Sequence, residues 1–464
     1  MQKTYWSSGE KTMNSTFAMT CRWMSSLHEQ EEVKVTSAMV QINLADGVVT
    51  RNQDDWAHTV QDDVRLSAYP LALWLAQSWW RLRYESLPIR DIPSLSWRMA
   101  HEMAAVGYGY VWPNIVFLSE GEQVHALSVQ SASGDKEPVR YLSDLYAAID
   151  GAAFEREIDG FIRSTIARLN AMGTADTPLH RIWHDVEAER ADHESCLWRK
   201  LEAMLGYERD DGPSEILDTL INLQKRIGPS AVSEIAHVCA VPDPKQELGQ
   251  ILAIDSNSGI KGHLNDSLRD IRFDQGEKPA AWERGWKLAR NVRSVLGIAN
   301  GKLLDESLCD ILGIPLKSLS DDSREGFSTP IGAVIRNEKE HQESFILRKS
   351  SRNRCGRRFE LTRFLCECVS ANPEDAWLVS TDAKTTRQKI QRAFAAEFLC
   401  PIKDVVEYLG SDFSDDAIDD AAYHFMVSPL AVRTHLVNNH LLTQSSLNLD
   451  VDLHLWNHAY HSVL

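Results

Sequence analysis

The residues best placed to do chemistry lie between Arg357 and Pro401, in RRFELTRFLCECVSANPEDAWLVSTDAKTTRQKIQRAFAAEFLCP. Glu367 and Glu397 are carboxylates that could act as bases or hold a metal, and Cys366 and Cys400 are thiols that become nucleophiles once ionised. A hydrolytic set built on them needs a histidine brought from elsewhere in the chain, such as His424. Just upstream, Arg348, Lys349, Arg352, Arg354, Arg357, Arg358 and Arg363 place seven cations within 16 residues. A guanidinium fork suits bidentate phosphate contact, so Arg352, Arg354, Arg357 and Arg358, with Arg433 further on, are candidate anion or nucleic-acid ligands. The competing reading is a solvated loop and helix start balanced by Asp415, Asp416, Asp419 and Asp420. Two weaker constellations stand apart. His101-Glu102-Met103-Ala104-Ala105 begins like a zinc helix but lacks the second histidine, which fits a helix with a half-buried His and an exposed Glu. His180-x-x-x-His184 followed by Glu187 could share one helical face.

The elements that must position the main stretch can be read from spacing. Phe359, Leu361, Phe364, Leu365, Cys368 and Val369 recur near a 3.6-residue period, which predicts a helix stopped at Asn372-Pro373. Ile390, Phe394, Phe398 and Leu399 mark a second helix over about 383–400, facing the first. Two paired strands, Ile331 to Arg336 and Ser344 to Arg348, should precede them. Trp282, Trp286, Leu288, Ala289, Val292, Val295 and Leu296 mark an amphipathic helix that opens this domain, and Ser307 to Leu312 a short one.

These phrases resemble the ImmA/IrrE-like metallopeptidase domain. Its opening helix is similar to Glu283-Arg284-Gly285-Trp286-x-Leu288-Ala289. Its first zinc-site helix reads roughly RFTLAHELGH, against Arg358-Phe359-x-Leu361 here, and its second ends in FAAELLMP, against Phe394-Ala395-Ala396-Glu397-Phe398-Leu399-x-Pro401. The resemblance implies a zincin-like fold over about 279–442. Aligned this way, the family's HExxH falls on Arg363, Phe364, Leu365, Cys366 and Glu367, and its third ligand at or near Gln388, with Glu397 as the alternative. Arginine cannot coordinate zinc and phenylalanine cannot act as a base, so the zinc motif is degenerate. The expectation is no metal and no cofactor. What the resemblance then implies is a bacterial protein that acts by binding, in regulation, stress response or defence against phage and other mobile elements, with a protein or peptide partner. The alternatives are an active metallo-endopeptidase or other hydrolase with a non-standard site, and a DNA-binding regulator. For the last, residues 417–442 resemble a helix-turn-helix, with Ser428 capping the second helix and Arg433 on it. The family closes with such a helix pair as packing. Arg357 and Arg358 are expected to serve docking more than core stability, and Arg363 to form an internal ion pair with Glu397 or Glu367.

The whole chain sets the frame. Its 464 residues carry a formal net charge of -17 and are 43% hydrophobic, ordinary for a globular protein and unfavourable for broad attraction to nucleic acid or anionic membrane. No stretch has the length of a membrane span, and eight scattered cysteines suit a reducing cytoplasm. A local basic run leaves nucleic acid open as a partner. The fold class expected is α+β, predominantly helical. Residues 1–24 read as disordered or an upstream extension, and 25–135 as a small α+β domain with a hairpin over 33–50, helices over 66–83 and 96–106, and two strands over 114–129. Residues 136–240 read as a helical domain, with Leu142, Leu145, Tyr146 and Ile149 on its first helix. Residues 241–278 read as linker, 279–442 as the peptidase-fold domain, and 443–464 as a tail whose alternating apolar residues could form an edge strand.

Overall fold

The computed structural model describes residues 17–54, 59–89, 92–132, 138–255, 259–268, 271, 280–298, 300–320, 329–337, 342–348, 350–351, 353–372 and 375–442. Lys349, Arg352, Pro373 and the 443–464 tail lie outside them. The fold is α+β with helix predominating. No helix of the described residues is long and apolar enough to cross a membrane.

The chain divides into two compact units, residues 1–85 with 94–196, and residues 86–93 with 197–464. In the first, β1 (Phe17–Trp23) pairs antiparallel with β2 (Ser37–Leu44), so residues read as an extension are an integral strand. α1 (Glu31–Val35) precedes β2, and the expected hairpin turns at Ala45, whose φ is +52°, into β3 (Gly47–Val48). β4 (Asn52–Asp54) and β5 (Thr59–Gln61) follow, and β6 (Val64–Ser67) joins β2. The Trp-rich segment is two helices, α2 (Ala68–Gln77) and α3 (Trp79–Tyr84). Helix α4 (Leu95–His101) is capped by Ser94, not by Ser96. The predicted strands are β7 (Asn114–Ser119) and β8 (Gln123–Val129). β9 (Val139–Tyr141) pairs with β4.

The segment read as the first helix of a middle domain is instead β10 (Leu145–Asp150), antiparallel to β8. Its spacing fits either period over so short a run. Edge pairing decided it: Ala147 and Ile149 turn inward, and Tyr146 outward with 53% exposure. Asp150 then caps α5 (Gly151–Ala171), which is followed by α6 (Pro178–Ala191). Phe17, Phe117 and Phe154 pack together in this unit, with ring centroids 5.4–5.9 Å apart, Phe17 stacked on Phe154 and edge-on to Phe117. α7 (His193–Met204) begins in this unit and continues into the second.

The second unit starts with α8 (Ser214–Ile227), α9 (Pro229–Val238) and α10 (Pro244–Leu252). The expected linker thus holds α10 and also β11 (Ile260–Gly262), the edge of a sheet ordered β11-β13-β12-β14, with β12 (Gly332–Asn337), β13 (Gln342–Ile346) and β14 (Trp377–Ser380). Every pairing in that sheet is antiparallel. Polar composition hid β11, because a three-residue edge strand needs few apolar side chains. Around the sheet lie α11 (Ala281–Val295), α12 (Asp305–Leu312), α13 (Arg354–Ser370), α14 (Thr386–Leu399), α15 (Ile402–Leu409), α16 (Asp415–Phe425) and α17 (Pro429–Asn438). Gly285 lets α11 lie directly on α14: a Cβ there would stand 2.6 Å from the Ile390 carbonyl oxygen and 2.8 Å from the Phe394 nitrogen. Leu361, Phe364, Leu365, Phe394 and Phe398 join the two main helices into one core with α16 and α17.

Candidate functional site

Asn353 caps α13 by accepting from the Gly356 N–H, and Thr385 caps α14 by accepting from the Gln388 N–H. Helix α13 is not amphipathic as its apolar spacing suggested. Arg357, Arg358, Glu360, Arg363 and Glu367 are all at most 2% exposed, so charged residues fill the faces expected to meet water. Such groups persist in a core only when paired and hydrogen-bonded, and Arg358, Glu360, Arg363 and Glu367 each have a specific partner.

Arg363 donates from Nη2 to the Thr381 carbonyl at 2.7 Å and to Gln388 Oε1, and from Nε to Gln391 Oε1 at 3.2 Å. Its Nη1 lies 3.5 Å from Glu360. Burial, reinforced by Arg348 nearby, pushes the guanidinium down to about 9, which leaves it charged at neutral pH. Gln388 also accepts from the Thr381 N–H at 2.9 Å and donates to the Val379 carbonyl at 3.2 Å. Glu367 accepts from Arg387 Nε at 2.9 Å and from Gln391 Nε2 at 2.8 Å. Phe364 packs against Phe345 with no exposure.

The internal pair expected between Arg363 and Glu397 or Glu367 does not form, because both acids are taken by other cations. Glu397 accepts from Arg290 Nε at 2.6 Å, His435 Nε2 at 2.9 Å and the Ile402 N–H at 3.1 Å, joining α11, α14, α15 and α17. Burial alone would raise its carboxyl, but His435 and Arg290 hold it below the usual carboxylate range. Its contribution to stability is therefore present above the ordinary carboxyl pKa near 4.3 and lost as pH falls through its lower folded value. Acid unfolding of wild type followed by hydrogen exchange in α17 should steepen below about pH 4, and Glu397→Gln should lose that component. The same acid profile in both proteins would refute this.

The arginine run faces inward too. Arg358, fully buried, pairs with Asp305 and donates to the Leu303 carbonyl at 2.7 Å, while Arg354, half exposed, donates to Asp305 at 2.7 Å. Arg348 forks onto Glu360 at 2.8 and 2.9 Å and also meets Asp382. Burial would raise the Glu360 carboxyl, yet Arg348 and Arg363 hold it down. The balancing acids are thus Asp305, Glu360 and Asp382, whereas Asp415 pairs with Arg433 at 2.7 Å. Arg357 is 1% exposed. α16 and α17 form the expected helix pair, Ser428 capping α17, and Val432, His435 and Leu436 of α17 are buried.

The remaining candidates do not assemble a reactive centre. Glu367 and Glu397 sit in separate clusters, and His424 stacks on Tyr408 at 4.6 Å. Burial pushes the Cys366 thiol well up and the Cys400 thiol up to about 12, so neither is a ready thiolate. His101 is fully buried between the Phe117 carbonyl at 2.9 Å and Glu85 at 3.0 Å, and Glu102, read as exposed, is buried against Arg98 at 2.6 Å. His180 joins the cap of α6 with Thr177, His184 is exposed, and Glu187 pairs with Arg163. Among the described residues no group of three His, Cys, Asp or Glu could hold a metal ion.

Sequence reasoning missed Glu360, Arg387, Gln391 and His435. The first was legible as the acid one turn before Arg363, and His435 as a polar residue inside an apolar stripe; Arg387 and Gln391 carried no such signal. No family model matches this chain, and no curated protein or solved structure is significantly similar to it.

Proposed function

We propose that residues 279–442 of the second unit are a metal-free variant of the ImmA/IrrE-like scaffold, and that the chain acts by binding a protein or peptide partner, in bacterial regulation, stress response or phage defence. The observation that supports this most directly is the hydrogen bond between Arg363 and Gln388. In the motif alignment these are the first and third ligand positions, which in a zinc site meet through the ion. Here a guanidinium provides the positive charge, without Lewis acidity and without a bound water to ionise. Phe364 at the base position removes the proton acceptor as well. The burial of Arg357 and Arg358 gives little support to a DNA-reading role for the same run.

Elemental analysis of the purified chain tests the reading. Wild type should carry no stoichiometric zinc, and Arg363→His/Glu367→His/Gln388→Glu, which rebuilds the ligand triad and leaves Phe364 in place, should take up about one zinc per chain. Stoichiometric zinc in wild type, or a folded triple variant that binds none, would overturn it.

A further inference from the structure

Helix α9 meets the layer of β14 and α14 through an acid. Glu234 is 4% exposed, and its carboxyl oxygens face Thr385 Oγ1 at 2.9 and 3.1 Å and Thr381 Oγ1 at 3.4 Å. Two further buried carboxylates share its surroundings, Glu367 of α13 and Asp375 just before β14, and Arg387 of α14 feels all three. Glu367 takes the guanidinium's hydrogen bonds. Asp375 Oδ2 stands 3.9 Å from Arg387 Nη1, and among the described residues neither Asp375 oxygen accepts a hydrogen bond. The acid is built into the contact: Gly228, next to α9, admits it, since a Cβ there would lie 2.2 Å from Asp375 Oδ1. The charged groups acting on Glu234 are Arg387 from α14 and Glu367 from α13, with Asp375 from the β14 approach acting on the same Arg387 and Arg363 of α13 bonded to the neighbouring Thr381 and Gln388. With every acid ionised, the cluster holds more negative than positive charge away from water, which is costly. Glu234 meets the Thr385 and Thr381 hydroxyls and the Gln388 side chain and, among the described residues, no cation at ion-pair distance, so it is the acid that gives way.

We propose that Glu234 is a proton-operated latch: protonated, it holds α9 against β14 and α14, and ionised, it loosens that contact. Burial pushes its carboxyl up, and Glu367 adds to this, against the pull of Arg387 and Thr385. A carboxyl whose folded pKa lies above its unfolded one binds its proton more tightly when folded. The latch is therefore at full strength below the ordinary carboxyl range and weakens as pH rises toward the folded pKa.

Hydrogen exchange on the full chain reads this directly. After correction for intrinsic rates, protection over residues 229–238 should fall as pH rises from below the ordinary carboxyl pKa of about 4.3, while α5 serves as control. Glu234→Gln, which keeps the shape and cannot ionise, should hold the low-pH protection throughout. Asp375→Asn, which removes a neighbouring charge, should show a smaller fall than wild type. If Glu234→Gln does not fold, the Asp375→Asn comparison decides. Protection independent of pH in wild type, an equal fall in Glu234→Gln, or an undiminished fall in Asp375→Asn overturns the proposal.

Discussion

Arg363→Met should destabilise the second unit by roughly 3–5 kcal/mol. The substitution removes donors from the Thr381 carbonyl and from two buried side-chain amides, and it takes a nearby cation from Glu360, which is 1% exposed. Buried acceptors left without donors carry the desolvation cost that the hydrogen bonds had offset. Urea unfolding read by hydrogen exchange in α13 and α14 reports this unit separately from the other. Gln388→Leu removes the stranded amide but also the acceptor of the Thr381 N–H, so a double-mutant cycle with Arg363→Met isolates the coupling between the two side chains. Arg363→Lys should not rescue, since an ammonium cannot span the three acceptors as the planar fork does. A single mutant that unfolds at the wild-type urea concentration would mean that the network is not formed in solution.

Arg358→Met is the second large effect expected, on the order of 3 kcal/mol, and Arg354→Met the internal contrast, at less than about 1 kcal/mol. Both side chains reach Asp305, but Arg358 is fully buried and Arg354 half exposed. Removing Arg358 leaves Asp305, 6% exposed, with the half-exposed Arg354 as its cation among the described residues and leaves the Leu303 carbonyl without that donor. This reverses the expectation that Arg357 and Arg358 serve docking more than stability. Equal effects from the two substitutions would show that water reaches the pair and screens it.

The difference between run and network has a physical origin. A run of arginines near a helix start reads as solvated because an unpaired guanidinium cannot be buried, and linear sequence shows only neighbours along the chain. The counter-charges here come from Asp305, about 50 residues upstream of Arg358, and from Asp382 beyond β14. Glu360 alone was local, three residues before Arg363. The Glu397 cluster shows the same limit, since the acid was legible as a charge beside an apolar face, while its partners Arg290 and His435 come from α11 and α17.

What the sequence by itself determined was local: α13 and α14, though with strand β14 where a turn was expected between them, the Ser428 cap of α17, the hairpins of the first unit, the strands before α13, and the absence of HExxH. Those follow from side-chain period, proline and cap chemistry, which act within a few residues. The tertiary structure decided whether Leu145–Asp150 became strand or helix, that β1 and β11 are sheet members, and which charges are buried together. Pairing with β8, β2 and β13 settles the first two, because short polar or ambiguous runs gain their free energy from a distant strand's hydrogen bonds. Burial settles the third, since it turns each arginine and carboxylate from a solvated group into one that must find a partner, wherever in the chain that partner lies.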